Sequence, residues 1–406
     1  MGLWRTVYLF SIPLSTLLPI SSTLLSTDVS HAANEKIKAT LKIKAKNFFI
    51  INLLFKLSVI IITSKAKIMN FFKKPYKYFI YYGKILKVGD FMVIAIVIAA
   101  LIITLAAIML VFFNVAFLRK DESAVNDLES AENEFLSNFK DTIKIGMDYI
   151  KNTPHTEEST VSFDNLKLVG SYYPIENSKR VIILFHGYRS SGLRDFSCAV
   201  KMYNNLGLNV LLVDQRSHGR SEGRYITFGV KERKDVLSWI GYVLKKCGNN
   251  TEIILGGLSM GATTVMLASS ENLPSNVTGI IADCGFTSPK EIIIKVAKST
   301  YHLSGLVLTF VIYIMDIYCK ILGKFSIKNI STKDALKKSN IPIVIIHGKK
   351  DGFVPYEMSL ENFEAAKGNK KLISVDNADH GMSFLYDEKG VLKAISEFLV
   401  SIKKML

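Results

Sequence analysis

The chain has 406 residues, more than one ordinary domain needs, and suggests a domain of about 250–300 residues plus an appendage. Apolar residues make up 49% and charged residues 21%, which excludes disordered and collagen-like chains, and four cysteines (Cys198, Cys247, Cys284, Cys319) without a CxxC pair argue against a disulfide scaffold or a structural zinc site. The net charge of +16 is concentrated, with 14 Lys/Arg against 3 Asp/Glu in residues 1–118 but 37 against 32 in residues 119–406, so nucleic-acid binding is not expected.

The first 90 residues permit several readings. An apolar stretch follows Arg5 and ends near Ser30-His31-Ala32, as in a secretory signal, although Pro13 and Pro19 interrupt it. A second patch, Phe48–Ile62, is broken by Lys56 and could lie in a membrane interface. A start at Met69 or Met92 is a third reading. From Phe91 to Leu118 there are 28 residues without a charge, more than the roughly 20 needed to cross a hydrocarbon core. This predicts a transmembrane helix. Thirteen Lys and no acid lie between Lys36 and Lys87, whereas Asp121, Glu122, Asp127 and Glu129 follow the segment. The positive-inside rule therefore predicts a single pass with the downstream domain outside the cytoplasm. Residues 119–154 read as a helical connector, and its polar start near Asp121 predicts that the remainder forms a separable, soluble unit.

Beyond Thr156 the texture alternates. Short apolar runs (Val181–Phe185, Val210–Asp214, Glu252–Leu255, Val277–Ala282, Ile343–His347, Leu372–Val375) are separated by helix-like segments. Continuously apolar strands alternating with helices predict a parallel sheet covered on both faces. Thr160–Phe163 and Leu166–Tyr172 around Asp164-Asn165 read as an antiparallel hairpin at its edge.

Gly257-Leu258-Ser259-Met260-Gly261 lies between a predicted strand and a predicted helix. G-x-S-x-G in that setting is a nucleophile elbow, whose flanking glycines Gly257 and Gly261 permit the tight turn presenting Ser259. A serine hydroxyl needs a base, and the base an orienting carboxylate. Asp351, after the strand Ile343–His347, and His380, after Leu372–Val375, follow Ser259 by 92 and a further 29 residues, in the order this topology requires. Asp283, ending the strand Val277–Ala282, is a rival acid, and Asp379 could shape the histidine loop. The backbone N–H groups of Met260 and Tyr188 are the expected oxyanion donors, with the Tyr188 ring a pocket-lining aromatic. His186 and His218 read as structural hydrogen-bonders and His347 as the end of a strand, while His31, His155 and His302 show no constellation. No metal site is expected.

Together His186-Gly187-Tyr188, the run Asp214–Gly223, the elbow, the Asp351 turn and His380-Gly381 resemble the α/β-hydrolase superfamily in order and spacing across about residues 155–403. The flavour is similar to its monoacylglycerol lipase and serine aminopeptidase-like branch, particularly membrane-anchored members. The resemblance implies an α/β-hydrolase fold of about eight mostly parallel strands and a Ser-Asp-His esterase-type hydrolase without cofactor. Peptidases and non-catalytic members share the superfamily, so the substrate class stays open between a small-molecule or lipid ester and a peptide, as does the oligomeric state. The superfamily commonly carries a cap before the acid-bearing strand, expected here at about 286–340. Its apolar stretch Leu303–Leu322 is read as a cap helix, because a second span there would separate Ser259 from Asp351 and His380.

Overall fold

The computed structural model describes residues 78–81, 84–120, 125–126 and 138–403, and side chains only beyond residue 90. The readings of residues 1–77, including the signal-like and interfacial segments, lie outside it. Two compact units meet between Ala106 and Ala107. The first contains a hairpin of β1 (Tyr78–Tyr81) and antiparallel β2 (Lys84–Lys87), which leads into helix α1 (Val88–Phe117). Its residues Phe91–Phe117 are long and apolar enough to cross a membrane.

The second unit, from Ala107 onward, holds the candidate site motifs. Its helix α2 (Lys140–Asn152) turns Ile143, Met147 and Ile150 inward at helical spacing. Then come β3 (Thr156–Val161), β4 (Lys167–Tyr173), β5 (Arg180–Phe185), α3 (Gly192–Asp195), α4 (Ala199–Asn205), β6 (Asn209–Asp214), α5 (Glu232–Cys247) and β7 (Glu252–Leu258). The chain continues through α6 (Met260–Ala268), β8 (Val277–Asp283), α7 (Pro289–Tyr301), α8 (Gly305–Tyr318), α9 (Thr332–Lys338), β9 (Ile343–Gly348), α10 (Tyr356–Ala365), β10 (Lys370–Val375), α11 (Ser383–Tyr386) and α12 (Glu388–Lys403). Eight strands form one sheet in the order β10-β9-β8-β7-β5-β6-β4-β3. All neighbours are parallel except β3–β4 and β4–β6, so the predicted mostly parallel sheet with an edge hairpin is what forms. The central strands are apolar throughout because helices cover both faces, with Trp239 of α5 on one side and Phe398 of α12 on the other.

The segment expected to form a cap, about 286–340, contains α7, α8 and α9. Ser288 caps α7 by accepting from the Glu291 N–H, and Pro289 occupies the first turn, where a missing N–H costs nothing. Helix α8 and the π-turn after it, Gly305–Gly323, are also long and apolar enough to cross a membrane. Leu308, Ile312, Met315 and Cys319 nevertheless pack into a cluster with Phe228, Phe286 and Phe325. Asp316, 1% exposed, accepts bonds from Ser326 and the Ile327 N–H, which tie the helix to the chain that follows it.

Packing crosses the expected boundary at Asp121. Met109, Phe113 and Phe117 of α1 are at most 2% exposed and belong to the cap cluster. Phe113 meets the rings of Tyr225 and Tyr318, and Phe117 those of Phe228 and Phe325. The end of the apolar run therefore packs within the protein, and sequence hydropathy cannot distinguish lipid from a protein core.

Candidate active site

The elbow lies where β7 turns sharply into α6. Ser259 holds φ 55° and ψ −112°, a backbone conformation that few L-residues adopt and that points its side chain out of the turn. A Cβ on Gly261 would stand 1.7 Å from the Phe185 carbonyl oxygen, and one on Gly257 2.3 Å from the Gly261 backbone, so neither position admits a side chain. The Ser259 N–H donates to the Asp283 carbonyl at 2.8 Å, fixing the turn against β8.

Ser259 Oγ lies 2.9 Å from His380 Nε2, and His380 Nδ1 lies 2.7 Å from Asp351 Oδ2. With the Nδ1 proton directed at the carboxylate, Nε2 is left to accept from the serine hydroxyl. The Asp351 side chain is fully buried and takes four bonds: Phe353 N–H at 2.9 Å and Val354 N–H at 2.8 Å on Oδ1, and His380 and His347 on Oδ2. Burial works to raise its pKa, but the bonds from His347 and His380 outweigh it and hold the carboxyl well below the usual range. Asp379 ties the two loops together, its Oδ1 accepting from the Gly352 N–H at 2.9 Å and the His380 N–H at 2.7 Å.

The rival Asp283 bonds Ser383 at 3.3 Å and makes no bond to His380; burial pushes its carboxyl up to about 6. His347, read as a strand end, proves to be part of the acid's support. Its Nε2 faces two acceptors, Asp351 Oδ2 at 2.9 Å and the Val354 carbonyl at 3.0 Å, so that nitrogen carries the proton. Its Nδ1 accepts from Ser359 Oγ at 2.5 Å. The signal available in the sequence was the four-residue step from His347 to Asp351 around the Gly348 turn.

His186 and His218 meet edge to face and bond only backbone: His186 to the Gly187 carbonyl and Gln215 N–H, His218 to the Arg216 carbonyl and Arg189 N–H. Burial, and then His186, push the pKa of His218 well down. Cys284, Asp351 and His380 bring ligand atoms within 4.8 Å of one another. Sharing an ion would break the His380–Asp351 bond, and burial drives the Cys284 thiol far up, toward its protonated form, which does not ligate.

The N–H groups of Tyr188 and Met260 have no acceptor among the described residues, and Met260, first in α6, has no intrahelical partner by position. The Tyr188 turn is braced by Asp195, whose carboxylate accepts from the Gly187 N–H at 2.6 Å and Ser190 Oγ at 2.5 Å. Ser259, His380 and Tyr188 border a cavity of about 1160 Å³ whose walls include Phe196, Met202, Phe384 and Leu385.

This fold recurs in a solved esterase, Pf2001 of Pyrococcus furiosus, with a TM-score of 0.50 and 23% identity over 61% of this chain and 91% of that one. The chain has the α/β-hydrolase fold. A family model described as serine aminopeptidase, S33, matches residues 176–318 of the hydrolase, and one described as TAP-like protein matches residues 312–404. The hydrolase is 26% identical to YqkD of Bacillus subtilis across 75% of its own length and 96% of that protein. It is 22% identical to bem46 of Schizosaccharomyces pombe, across 61% and 80% respectively.

Proposed function

We propose that this hydrolase is a membrane-anchored serine esterase working through an acyl-enzyme. The observation that carries the reading is the unbroken chain from Ser259 Oγ through His380 to Asp351, at 2.9 and 2.7 Å. In this mechanism Ser259 Oγ attacks the ester carbonyl while His380 Nε2 takes its proton, and Asp351 stabilises the imidazolium that forms. The N–H groups of Met260 and Tyr188 receive the developing oxyanion. His380 then returns the proton to the departing alcohol, and water, activated by the same imidazole, releases the acid. The apolar cavity walls and the cap favour an acyl chain, as in a monoacylglycerol or lysolipid.

The decisive experiment is labelling with a fluorophosphonate probe, followed by p-nitrophenyl esters of rising chain length beside aminoacyl-anilides. Labelling that vanishes in Ser259→Ala, with hydrolysis of esters, supports the reading. Folded protein that takes no label would make it a binding protein with a hydrolase fold. The match to the serine aminopeptidase model supports a second reading, a peptidase, and preferential cleavage of the anilides would select it. The lysine-rich flank before α1 and the acids after it favour an extracytoplasmic catalytic unit. A phosphatase reporter fused after Leu406 is then active, and an inactive one reverses the orientation.

A further inference from the structure

An α-helix leaves its last carbonyls without intrahelical donors. At the end of α1 the catalytic unit supplies those donors. Val115 O accepts from Arg189 Nη2 at 2.6 Å, Ala116 O from the Tyr188 hydroxyl at 2.8 Å and Phe117 O from the Ile226 N–H at 2.7 Å. Leu118 O accepts from Arg189 Nη2 at 3.2 Å. Three of these four carbonyls are held by two adjacent side chains, both in the turn after β5. That turn is held firmly elsewhere too. Arg189 has a left-handed backbone (φ 52°), its N–H bonds His218 Nε2 at 3.1 Å, and its guanidinium lies 4.8 Å over the Tyr188 ring. Tyr188 stacks on Phe228 at 4.9 Å, and Phe228 meets Phe117 of α1 edge on at 5.4 Å.

We propose that the C-terminal end of the apolar helix is a positioning element for the oxyanion turn. The Tyr188 hydroxyl and the Arg189 guanidinium, bound to the carbonyls of residues 115, 116 and 118, fix the direction of the Tyr188 N–H. The helix is then more than a tether, because its last turn sets the geometry in which the oxyanion is received. The catalytic part of this inference rests on the esterase reading, whereas the bracing of the turn stands without it.

The test uses the full chain in detergent or nanodiscs. Tyr188→Phe keeps the ring on Phe228 and removes only the bond to Ala116. Its kcat on p-nitrophenyl acetate is expected to fall about tenfold with KM within about twofold, because small misplacements of a donor are costly in the transition state. Inhibition by phenylboronic acid, whose tetrahedral adduct places an oxygen in the same hole, weakens by about the same factor. Amide exchange over residues 187–190 accelerates. Phe91→Leu, at a 72% exposed position of the same helix, changes none of these. Should Tyr188→Phe unfold, Arg189→Ala, which removes the donor to both the Val115 and the Leu118 carbonyls, takes its place with the same readouts. Unchanged kcat and boronate affinity in an otherwise active enzyme overturn the proposal. If the wild type cleaves no ester, the esterase reading fails separately, and exchange over 187–190 decides: no acceleration overturns the bracing itself.

Discussion

Replacing His347 tests whether the acid at the heart of the site is held by a second imidazole. His347 is fully buried, and His347→Ala removes its bond to Asp351 Oδ2 while stranding the Ser359 hydroxyl. A bond to a buried charge contributes about 1.5–3 kcal/mol, and the space left by the ring adds roughly 1–2, so a loss of about 3–5 kcal/mol is expected. Asp351 keeps three donors, Phe353 N–H, Val354 N–H and His380, so kcat at pH 8 falls only about tenfold. The pH dependence has a definite sign. The depressed carboxyl contributes stability that is full above its unfolded pKa near 4 and is lost as pH falls through the lower folded value. Without His347 the folded value rises, so less of that stability is present at pH 7 and acid unfolding begins at higher pH. His347→Gln, which retains a donor, is expected to recover part of both effects. Urea melts at pH 8 and pH 4 with far-UV circular dichroism provide the measurement. If His347→Ala matched the wild type in urea midpoint and acid midpoint alike, its support of Asp351 would be refuted.

Ser259→Ala and His380→Ala are each expected to lower kcat by about three orders of magnitude, and the double variant little further, because nucleophile and base act as a unit; multiplicative losses in steady-state assays would contradict this. Asp283→Asn is expected to leave kcat within about threefold while removing a stability slope. With its folded pKa raised to about 6, Asp283 makes the wild type lose stability as pH rises from about 4 to 6, and the asparagine variant lacks that loss in urea melts across the range. A chain beginning at Asp121 lacks Met109, Phe113 and Phe117, leaves Phe228 and Phe325 uncovered, and is expected to aggregate. A chain beginning at Ala107 is expected to remain monodisperse in mild detergent by size-exclusion chromatography.

The sheet was legible because each buried strand carries an uninterrupted apolar run, and the elbow because glycine is forced at two positions by backbone contact. The order of Ser259, Asp351 and His380 was readable for the same reason, since strand order fixes which loops share an edge. Other features depend on contacts that spacing does not encode. His347 looked like the last residue of a strand because its function lies in a bond across the turn to Asp351 and another to Ser359 of α10. The packing of the apolar helix's last turns within the protein was hidden because Phe113 and Phe117 have the same hydropathy whether lipid or Phe228 lies beside them. Tyr188 was chosen for its N–H, yet its hydroxyl makes the less expected contact, 72 residues away along the chain.

Two of the apolar clusters among the described residues divide the site unequally. Met260 after the nucleophile, Val354 from the acid turn and Phe228 under Tyr188 all pack in the cluster that contains Phe113 and Phe117. Ala378 and Met382, which flank His380, pack in the other one, with Phe398 and Leu399 of α12. A disturbance at the end of the apolar helix is therefore expected to reach Met260, the Asp351 turn and the Tyr188 turn through shared packing, while the His380 loop packs in the cluster that contains α12. Phe117→Ala is expected to accelerate amide exchange in residues 187–190 and 352–354 while exchange at 379–382 stays within about twofold of the wild type. Equal acceleration in all three segments would mean that the site loosens as one body, and the division between the clusters would carry no mechanical meaning.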